Sequence, residues 1–469
     1  MPTHHPYHFI PVAVPRARDL SPLDNYPDSL PPEVTHDRWV PGTRSGRILM
    51  RLETTSELIL GGRRTPSSRG RPARIEPFQV PASTSGQFEP AIPATSLRGM
   101  FSALIEAASC STLRVLNETG VQSPANPSWP RFTGEPGFPL NFFAAVSPEL
   151  VPLGTSGERR SLTVAERLLG VVEQRHSKSH SSKSAVALAS RVRFSHARLA
   201  ERVSNPFSSA AFETLDLLLE PNLLSASLYF HPKEGPRTPI PAALLDPQDH
   251  RPNGRKQYPV QRGPKGLRAS TDAPRLQVEA RPLRPGLVFW FHIDFENLSD
   301  HELALLCYAT SPTGRFRHRL GLGKPLGFGT VRLDPEALLL VDRRDRYARK
   351  DLSDASCRWD QAWQDPQAVP GDWPPFWDEE FRAFASGRAL LPAPSVLDLG
   401  SDYRERVEPD FGEVLHALEV IGDPEASTPG LKFAYLVPSP WVNAFLPPLE
   451  DACTPVIDTR SYQRKPRRR

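Results

Sequence analysis

The stretch that decides the fold prediction is Arg319-Leu-Gly-Leu-Gly-Lys-Pro-Leu-Gly-Phe-Gly-Thr-Val-Arg-Leu333. Its glycines are Gly321, Gly323, Gly327 and Gly329, and Lys324 stands among them. Glycine lacks a Cβ and accepts positive φ, so backbone amides can turn toward an anion at close range. Basic side chains add long-range attraction to phosphate. The stretch predicts a loop that binds an RNA backbone, and a tight structural turn is the alternative that spacing alone leaves open.

Two better-known nucleotide motifs are excluded by context. A dinucleotide fingerprint places its glycines between a strand and a helix, whereas these lie between a predicted helix and a predicted strand. A triphosphatase loop requires Gly-Lys-Ser or Gly-Lys-Thr, and this chain has Gly323-Lys324-Pro325. Neither nucleotide fold is therefore predicted.

The flanking patterns predict two β–α units. Strands are expected at 45–61, 286–296 and 328–334, and helices at 95–109 and 299–311. Ser96 is expected to cap the first helix and Asn297–Ser299 the second, which would run through Asp300–Thr310. A further strand over 190–197 would point Arg191 and Arg193 outward. The order is typical of an α+β protein with a ferredoxin-like (RRM-like) split β-α-β core.

The prolines indicate long irregular connections around this core. The chain has 53 prolines in 469 residues, and proline fixes φ and removes a backbone donor. We predict an extended arm over 1–44 and a core domain over 45–335. Insertions would lie at about 117–160, 174–186 and 231–285; the first and third are rich in proline, and the second is polar and basic. Residues 336–469 would form a C-terminal extension of unassigned fold with a basic tail, Arg464–Arg469.

Charge and cysteine usage narrow the class of protein. The formal net charge is only +4, but arginines cluster in local stripes, which fits one anionic partner surface. The four cysteines form no CxxC pair, so no zinc ribbon is expected. No secretory leader pattern and no apolar run of about 18 residues is present, so we expect no membrane contact and a cytoplasmic protein.

Several segments, in a shared order over about residues 5–335, resemble the repeat-associated mysterious protein (RAMP) superfamily, in particular CRISPR-associated proteins of type III character. They are Pro6–Pro11, Ser45–Ile48, Pro90–Met100, Ala165–Gly170, Arg191–Ser195 and Gly321–Val331. A glycine-rich loop between the last helix and last strand is the hallmark of that superfamily. The resemblance implies a ferredoxin-like core and an RNA-binding role.

By this resemblance, the protein is a guide-RNA (crRNA)-binding subunit of an antiviral type III effector complex. It would hold the guide on a sheet face and adjoining loops for pairing with single-stranded target RNA, beside other CRISPR subunits. Ser96, Arg98 and Gly99 would lie against the guide backbone, since the start of a helix suits a phosphate. Arg319, Lys324 and the four glycines would bind phosphate, and Arg191 and Arg193 would extend the track.

Catalysis is left open by the sequence. Related subunits cut target RNA with a metal-held aspartate in the loop after the first strand, but residues 61–91 contain no aspartate. Glu76 is the nearest substitute, with Mg²⁺ needed only for cleavage, and Asp37 is an alternative acid. A guide-processing ribonuclease of the same superfamily would instead use a histidine as general acid–base; its candidates are His176, His180 and His196. A purely structural protein is the third reading.

Overall fold

The computed structural model describes residues 3–4, 7–23, 31, 34–68, 71–82, 86–114, 142–154, 161–173, 186–215, 229–235, 240, 245–261, 277–342, 390–391, 394–426 and 432–433. The predicted histidine candidates His176 and His180 and the basic tail lie outside the described residues.

The elements used below are, in chain order, β1 (His8–Ile10), β2 (Arg44–Thr54), β3 (Ala73–Ile75), β4 (Gln79–Pro81), β5 (Phe88–Ile92), α1 (Ala94–Ala108), α2 (Val164–Leu169), β6 (Val192–Phe194), β7 (Ala197–Leu199), β8 (Arg255–Gln257), β9 (Val278–Ala280), β10 (Val288–Leu298), α3 (Asp300–Thr310), β11 (His318–Arg319), β12 (Thr330–Val341) and α4 (Val396–Gly422). Further short strands are Thr3–His4, Ser21–Pro22, Arg64–Thr65, Ser161–Leu162, Val171–Val172, Ala187–Leu188, Glu213–Thr214, Phe230–Pro232, His250–Pro252, Leu390–Leu391 and Lys432–Phe433.

A nine-stranded antiparallel sheet forms the centre of the protein. Its strand order is β11-β12-β2-β10-β7-β5-β4; β6 also pairs with β10, and Leu390–Leu391 pairs with β12. The central strand β2 pairs along its length with β10 on one side and β12 on the other. With helices beside this curled sheet, the chain is an α+β protein, as the sequence predicts at that level.

One face of the sheet is apolar and lies under the helices. Successive side chains of a strand point to opposite faces, and Ile48, Met50 and Leu52 are buried in the same cluster as the helix residues. The neighbouring strands add Phe289, Phe291, Ile293, Val331 and Leu333, and the helices add Leu97, Phe101, Leu104, Leu303, Leu306, Tyr403, Val407 and Leu415. Helices α1, α3 and α4 also contact one another. The main core is therefore a sheet covered by three helices.

Helices α3 and α1 begin differently. Ser299 precedes α3 and accepts from the backbone N–H of Glu302, whose carboxylate accepts from the Ser299 backbone N–H in return. This capping box confirms the predicted cap. Helix α1 instead begins at Ala94, where the Nδ1 atom of His196 accepts the Ala94 N–H at 3.0 Å. The predicted cap at Ser96 is wrong, since Ser96 already lies within the first turn.

Several predicted boundaries shift. The first strand ends at Thr54 rather than near 61, because the chain turns there to run beside the glycine loop: Ile59 forms an isolated bridge with Leu322. Strand β12 continues past the predicted domain end at 335 to Val341. Helix α4, from the region predicted as an extension, contributes to the main core, and so does Ile10 of the predicted arm. No helix among the described residues is long and apolar enough to cross a membrane.

Arg191 is a buried structural residue, which corrects the prediction that it faces outward. Its guanidinium donates to the carbonyls of Arg167 (3.0 Å) and Asn297 (2.6 Å) and pairs with Glu302. Burial alone would raise the pKa of Glu302, but the charges of Arg191 and Arg167 outweigh burial and lower it. The arginine thus joins α2, the end of β10 and the first turn of α3.

Removing one partner from such a pair leaves a buried charge uncompensated. We therefore expect Arg191→Met to lower the free energy of unfolding by about 3–5 kcal/mol. Arg193→Met is the matched control, because Arg193 is 65% exposed and pairs with Glu296 at the surface; it should cost about 0–1 kcal/mol. Urea unfolding measures both. Equal losses in the two variants would contradict the structural role given to Arg191.

Candidate nucleic-acid interface

The glycine loop connects β11 to β12 and packs against the chain that follows β2. The Leu322 N–H donates to the Ile59 carbonyl at 3.0 Å, and the Gly329 N–H donates to the Glu57 carbonyl at 2.8 Å. Phe328, between them, is buried against Ile59. The loop is therefore held in place by the body of the protein on its inner side.

All four glycines have positive φ, from 71° at Gly323 to 89° at Gly327. Two of them also allow a close backbone approach. A Cβ on Gly329 would lie 1.8 Å from the Leu320 carbonyl oxygen, and one on Gly321 would lie 2.4 Å from the Ile59 carbonyl oxygen. The turn itself thus requires glycine, so the glycine pattern alone does not call for an RNA.

The cations of the loop are less easily explained by structure. Arg319 donates to the Thr330 Oγ1 atom at 2.6 Å and to the Lys324 carbonyl, while its buried Nε has no hydrogen-bond partner. In the part of the chain that the structure describes, neither Arg319 nor Lys324 forms an ion pair. Burial lowers the pKa of Arg319 to about 10, and burial together with the Arg319 charge lowers the pKa of Lys324. Two adjacent, partly desolvated cations thus lack a counter-charge.

A cavity of about 80 Å³ joins these cations to α1. It is lined by Ile10, Gly99, Met100, Ala103, Leu104, Gln257, Tyr258, Phe316, Arg317, His318, Arg319, Lys324, Leu418, Ile421 and Gly422. The structure therefore brings Gly99, Arg319 and Lys324 together, although 220 or more residues separate Gly99 from the other two. A Cβ on Gly99 would meet no atom within 4 Å, so no contact within the described protein requires a glycine there.

A larger cleft of about 720 Å³ lies on the other side of Gly99, between α1 and α2. Arg98 and Arg114 are its arginines. The Arg98 guanidinium donates to the Leu169 carbonyl, and its pKa is lowered by burial and by the charge of Arg114. Arg114 pairs with Glu106 at 2.5 Å. Ser96, one turn earlier, is half-buried and its hydroxyl makes no hydrogen bond with the described residues.

The face of the sheet away from the helices carries arginines that are already neutralised. Arg47 forms two hydrogen bonds to Asp294, its direct cross-strand partner, at 2.6 and 2.9 Å. Arg51 pairs with Asp334 at 2.9 Å, also directly across the strands. Arg332 pairs with Glu53, and Arg193 with Glu296. Such cross-strand pairs stabilise the sheet and leave little net charge for an RNA on this face.

The predicted catalytic candidates are separate from this region. Glu76 follows β3 and is half-buried, and the described residues contain no group of three or more histidine, cysteine, aspartate or glutamate side chains that could hold a metal. His196 uses Nδ1 to accept the Ala94 N–H and stacks near Phe78, with ring centroids 5.2 Å apart. Its observed role is to begin α1.

Sequence reasoning missed two residues near this cavity: Tyr258 lines it together with Arg319 and Lys324, and the Lys256 amine lies on the Tyr258 ring. Both fall in the stretch 231–285, which the sequence predicts to be an insertion. Their signal was a lysine and a tyrosine two residues apart, which in a strand lie on one face. That signal is too short to distinguish from an ordinary polar strand.

No family model matches the chain, and no curated protein matches it. Among solved structures, it is similar to a chain of a Type IV-B CRISPR complex, with 11% identity, a TM-score of 0.30, and coverage of 62% of this chain and 90% of the other. It is also similar to Csc2 of Thermofilum pendens, with 14% identity, a TM-score of 0.31, and coverage of 82% and 84%.

The two kinds of glycine predict opposite responses to alanine. Gly329→Ala should destabilise the protein by more than about 1 kcal/mol, because of the positive φ and the clash with the Leu320 carbonyl. Gly99→Ala should stabilise it by about 0.5–1 kcal/mol, since alanine is the better helix former and space is available. Thermal unfolding followed by circular dichroism compares them. A loss of stability in Gly99→Ala would show that Gly99 is needed for the fold.

Proposed function

We propose that this protein is a guide-RNA-binding subunit of a type III-like CRISPR effector complex, and that it holds the guide backbone for pairing with target RNA. Its partners in this proposal are the guide, the single-stranded target and neighbouring CRISPR subunits. The cytoplasmic location belongs to the same proposal, because guides and transcripts are cytoplasmic. Binding uses side-chain cations and backbone amides, so it needs no metal.

A ferredoxin-like RAMP core is part of the proposal. The strand order β12-β2-β10 followed by β6 and β7, with α1 after β2 and α3 after β10, supports the split β-α-β plan. On that plan the glycine loop joins the last helix to the last strand. The middle of α1, from Gly99 to Leu104, lies beside it, as the shared cavity indicates.

The observation that carries the proposal is a pair of cations at the cavity, Arg319 and Lys324, that have no carboxylate partner among the described residues. A buried positive charge is costly unless an anion compensates it, and the lowered pKa values of Arg319 and Lys324 have that cost as their cause. A phosphate at the cavity would relieve it. The sheet face, whose arginines are paired with carboxylates, offers no comparable attraction.

The proposed path of the strand runs over α1. Gly99 and Ala103 border both the small cavity and the larger cleft, so a backbone crossing at Gly99 would contact Lys324 on one side and Arg98 on the other. Ser96 is close enough along the helix to donate its hydroxyl. Arg193, already paired with Glu296, would contribute less. Among the described residues, no group of three or more metal-ligating side chains surrounds Glu76. The proposed function does not include RNA cleavage by this residue.

The identity of the bound RNA tests the proposal as a whole. The full chain would be expressed together with a CRISPR array and purified, and the RNA that stays bound would be sequenced. Guides with a fixed repeat-derived end are expected, because the subunit should retain one defined part of the guide. RNA of random sequence, or none, would overturn guide binding by this chain. Cleavage of a repeat hairpin by the purified chain would point to the processing ribonuclease instead.

Lys324→Met tests the cavity. For a single strand, each phosphate contact contributes about 0.7 to the slope of log affinity against log salt. We expect the variant to lose one such contact and to bind single-stranded RNA about fivefold more weakly at 0.1 M salt. Lys233→Met is the matched control, because Lys233 is an exposed lysine that lines neither the small cavity nor the larger cleft. Equal affinities of the two variants, measured by fluorescence anisotropy, would remove Lys324 from the interface.

A further inference from the structure

Strand β8 presents a lysine on a cluster of tyrosines. β8 pairs with β1 near the amino terminus, and the Lys256 amine lies 4.0 Å from the centre of the Tyr7 ring and 5.5 Å from that of Tyr258. Tyr7 is held in turn by a 2.8 Å hydrogen bond from its hydroxyl to that of Tyr229. The Lys256 ammonium group is therefore held in position by its contacts with packed tyrosine rings.

Lys256 differs in one respect from the arginine that precedes it. The Arg255 guanidinium is buried, donates to the Ser111 carbonyl and lies 3.8 Å from the Glu106 carboxylate. Among the described residues, Lys256 has no carboxylate partner. Burial lowers its pKa to about 8, so the amine is partly desolvated without a compensating anion. The tyrosine rings offset only part of this cost, since cation–π contacts contribute about 0.5–2 kcal/mol.

The same segment is tied to the glycine loop. The Gln261 side-chain amide donates to the Pro325 carbonyl at 3.1 Å, next to Lys324, and the Val260 N–H donates to the Ile421 carbonyl at 3.0 Å. Gln257 and Tyr258, which flank Lys256 on its carboxyl side, line the cavity together with Arg319 and Lys324. Lys256 itself does not line the cavity, but its chain neighbour Gln257 and the Tyr258 ring beneath its amine do.

We propose that Lys256, presented on Tyr7 and Tyr258, binds a further phosphate of the same RNA strand that contacts Arg319 and Lys324. This inference rests on the proposed function, because it assigns a further residue to the same RNA site. It extends the binding surface from the glycine loop onto β8, and it gives the 245–261 segment a role in gripping the strand. The Tyr258 ring adds a surface on which a base can stack.

A purely structural cation–π contact would also explain why the Lys256 amine lies on the Tyr7 ring. The test therefore needs a measured quantity that does not change when only the stability of the protein changes. The salt dependence of affinity is such a readout, because it counts phosphate contacts. Fluorescence anisotropy with a labelled single-stranded RNA would be recorded over a series of salt concentrations for the full chain. The variants are Lys256→Met, Lys256→Gln, Lys256→Arg, Lys324→Met and the control Lys233→Met, each checked for folding by circular dichroism.

Lys256→Met and Lys256→Gln should each reduce the salt slope by about 0.7 and the affinity about fivefold at 0.1 M salt, whereas Lys256→Arg keeps the slope. Two neutral variants of Lys256 are used so that poor packing of one new side chain against Tyr7 is not mistaken for the loss of a phosphate contact. If Lys324→Met weakens binding while the neutral Lys256 variants behave like Lys233→Met, the Lys256 contact is overturned and the cavity assignment stands. If Lys324→Met also equals the control, the RNA site at the glycine loop fails, and the Lys256 contact fails with it.

Discussion

The register of strand β2 is the constraint on which the rest of this structure depends. β2 is hydrogen-bonded on both sides, to β10 and to β12, and a shift by one residue would move every side chain to the opposite face. In the observed register, Ile48, Met50 and Leu52 lie under the helices. Arg47 and Arg51 lie on the other face, opposite Asp294 and Asp334. One set of pairings therefore fixes both the core and the charge pattern of the outer face.

That charge pattern separates two kinds of basic residue that look alike in the sequence. Arginines on the central strands β2 and β12 meet carboxylates across the sheet, and Arg191 meets Glu302 in the interior. Among the described residues, Arg319 on the edge strand β11, Lys324 in the glycine loop and Lys256 on β8 have no carboxylate partner. Since a desolvated cation is stabilised by an anion, these residues form the surface best suited to a phosphate chain. The proposed function follows from this sorting and not from the number of arginines.

The glycine loop combines a structural and a functional demand in one segment. Its positive φ angles and the close approach at Gly329 are required by the turn, which places the backbone of β11 against that of β12. This turn also holds Arg319 beside Lys324, because the Arg319 guanidinium donates a hydrogen bond to the Lys324 carbonyl. The fold thus fixes two like charges next to each other. Gly99, on α1, also borders this region. No contact within the described protein requires a glycine at that position.

The sequence by itself determined the local features of this protein. Apolar patterns predicted β2 and β10, and Asn297–Ser299 predicted the start of α3, because strand patterns and capping depend on residues only a few positions apart. Tertiary structure decided what depends on distant partners. It buried Arg191 against Glu302, and it replaced the expected Ser96 cap with His196. It also added α4 to the core and joined the segment after β8 to the glycine loop through Gln261 and Pro325. In each case the deciding partner lies more than 60 residues away, and no local pattern records such a contact.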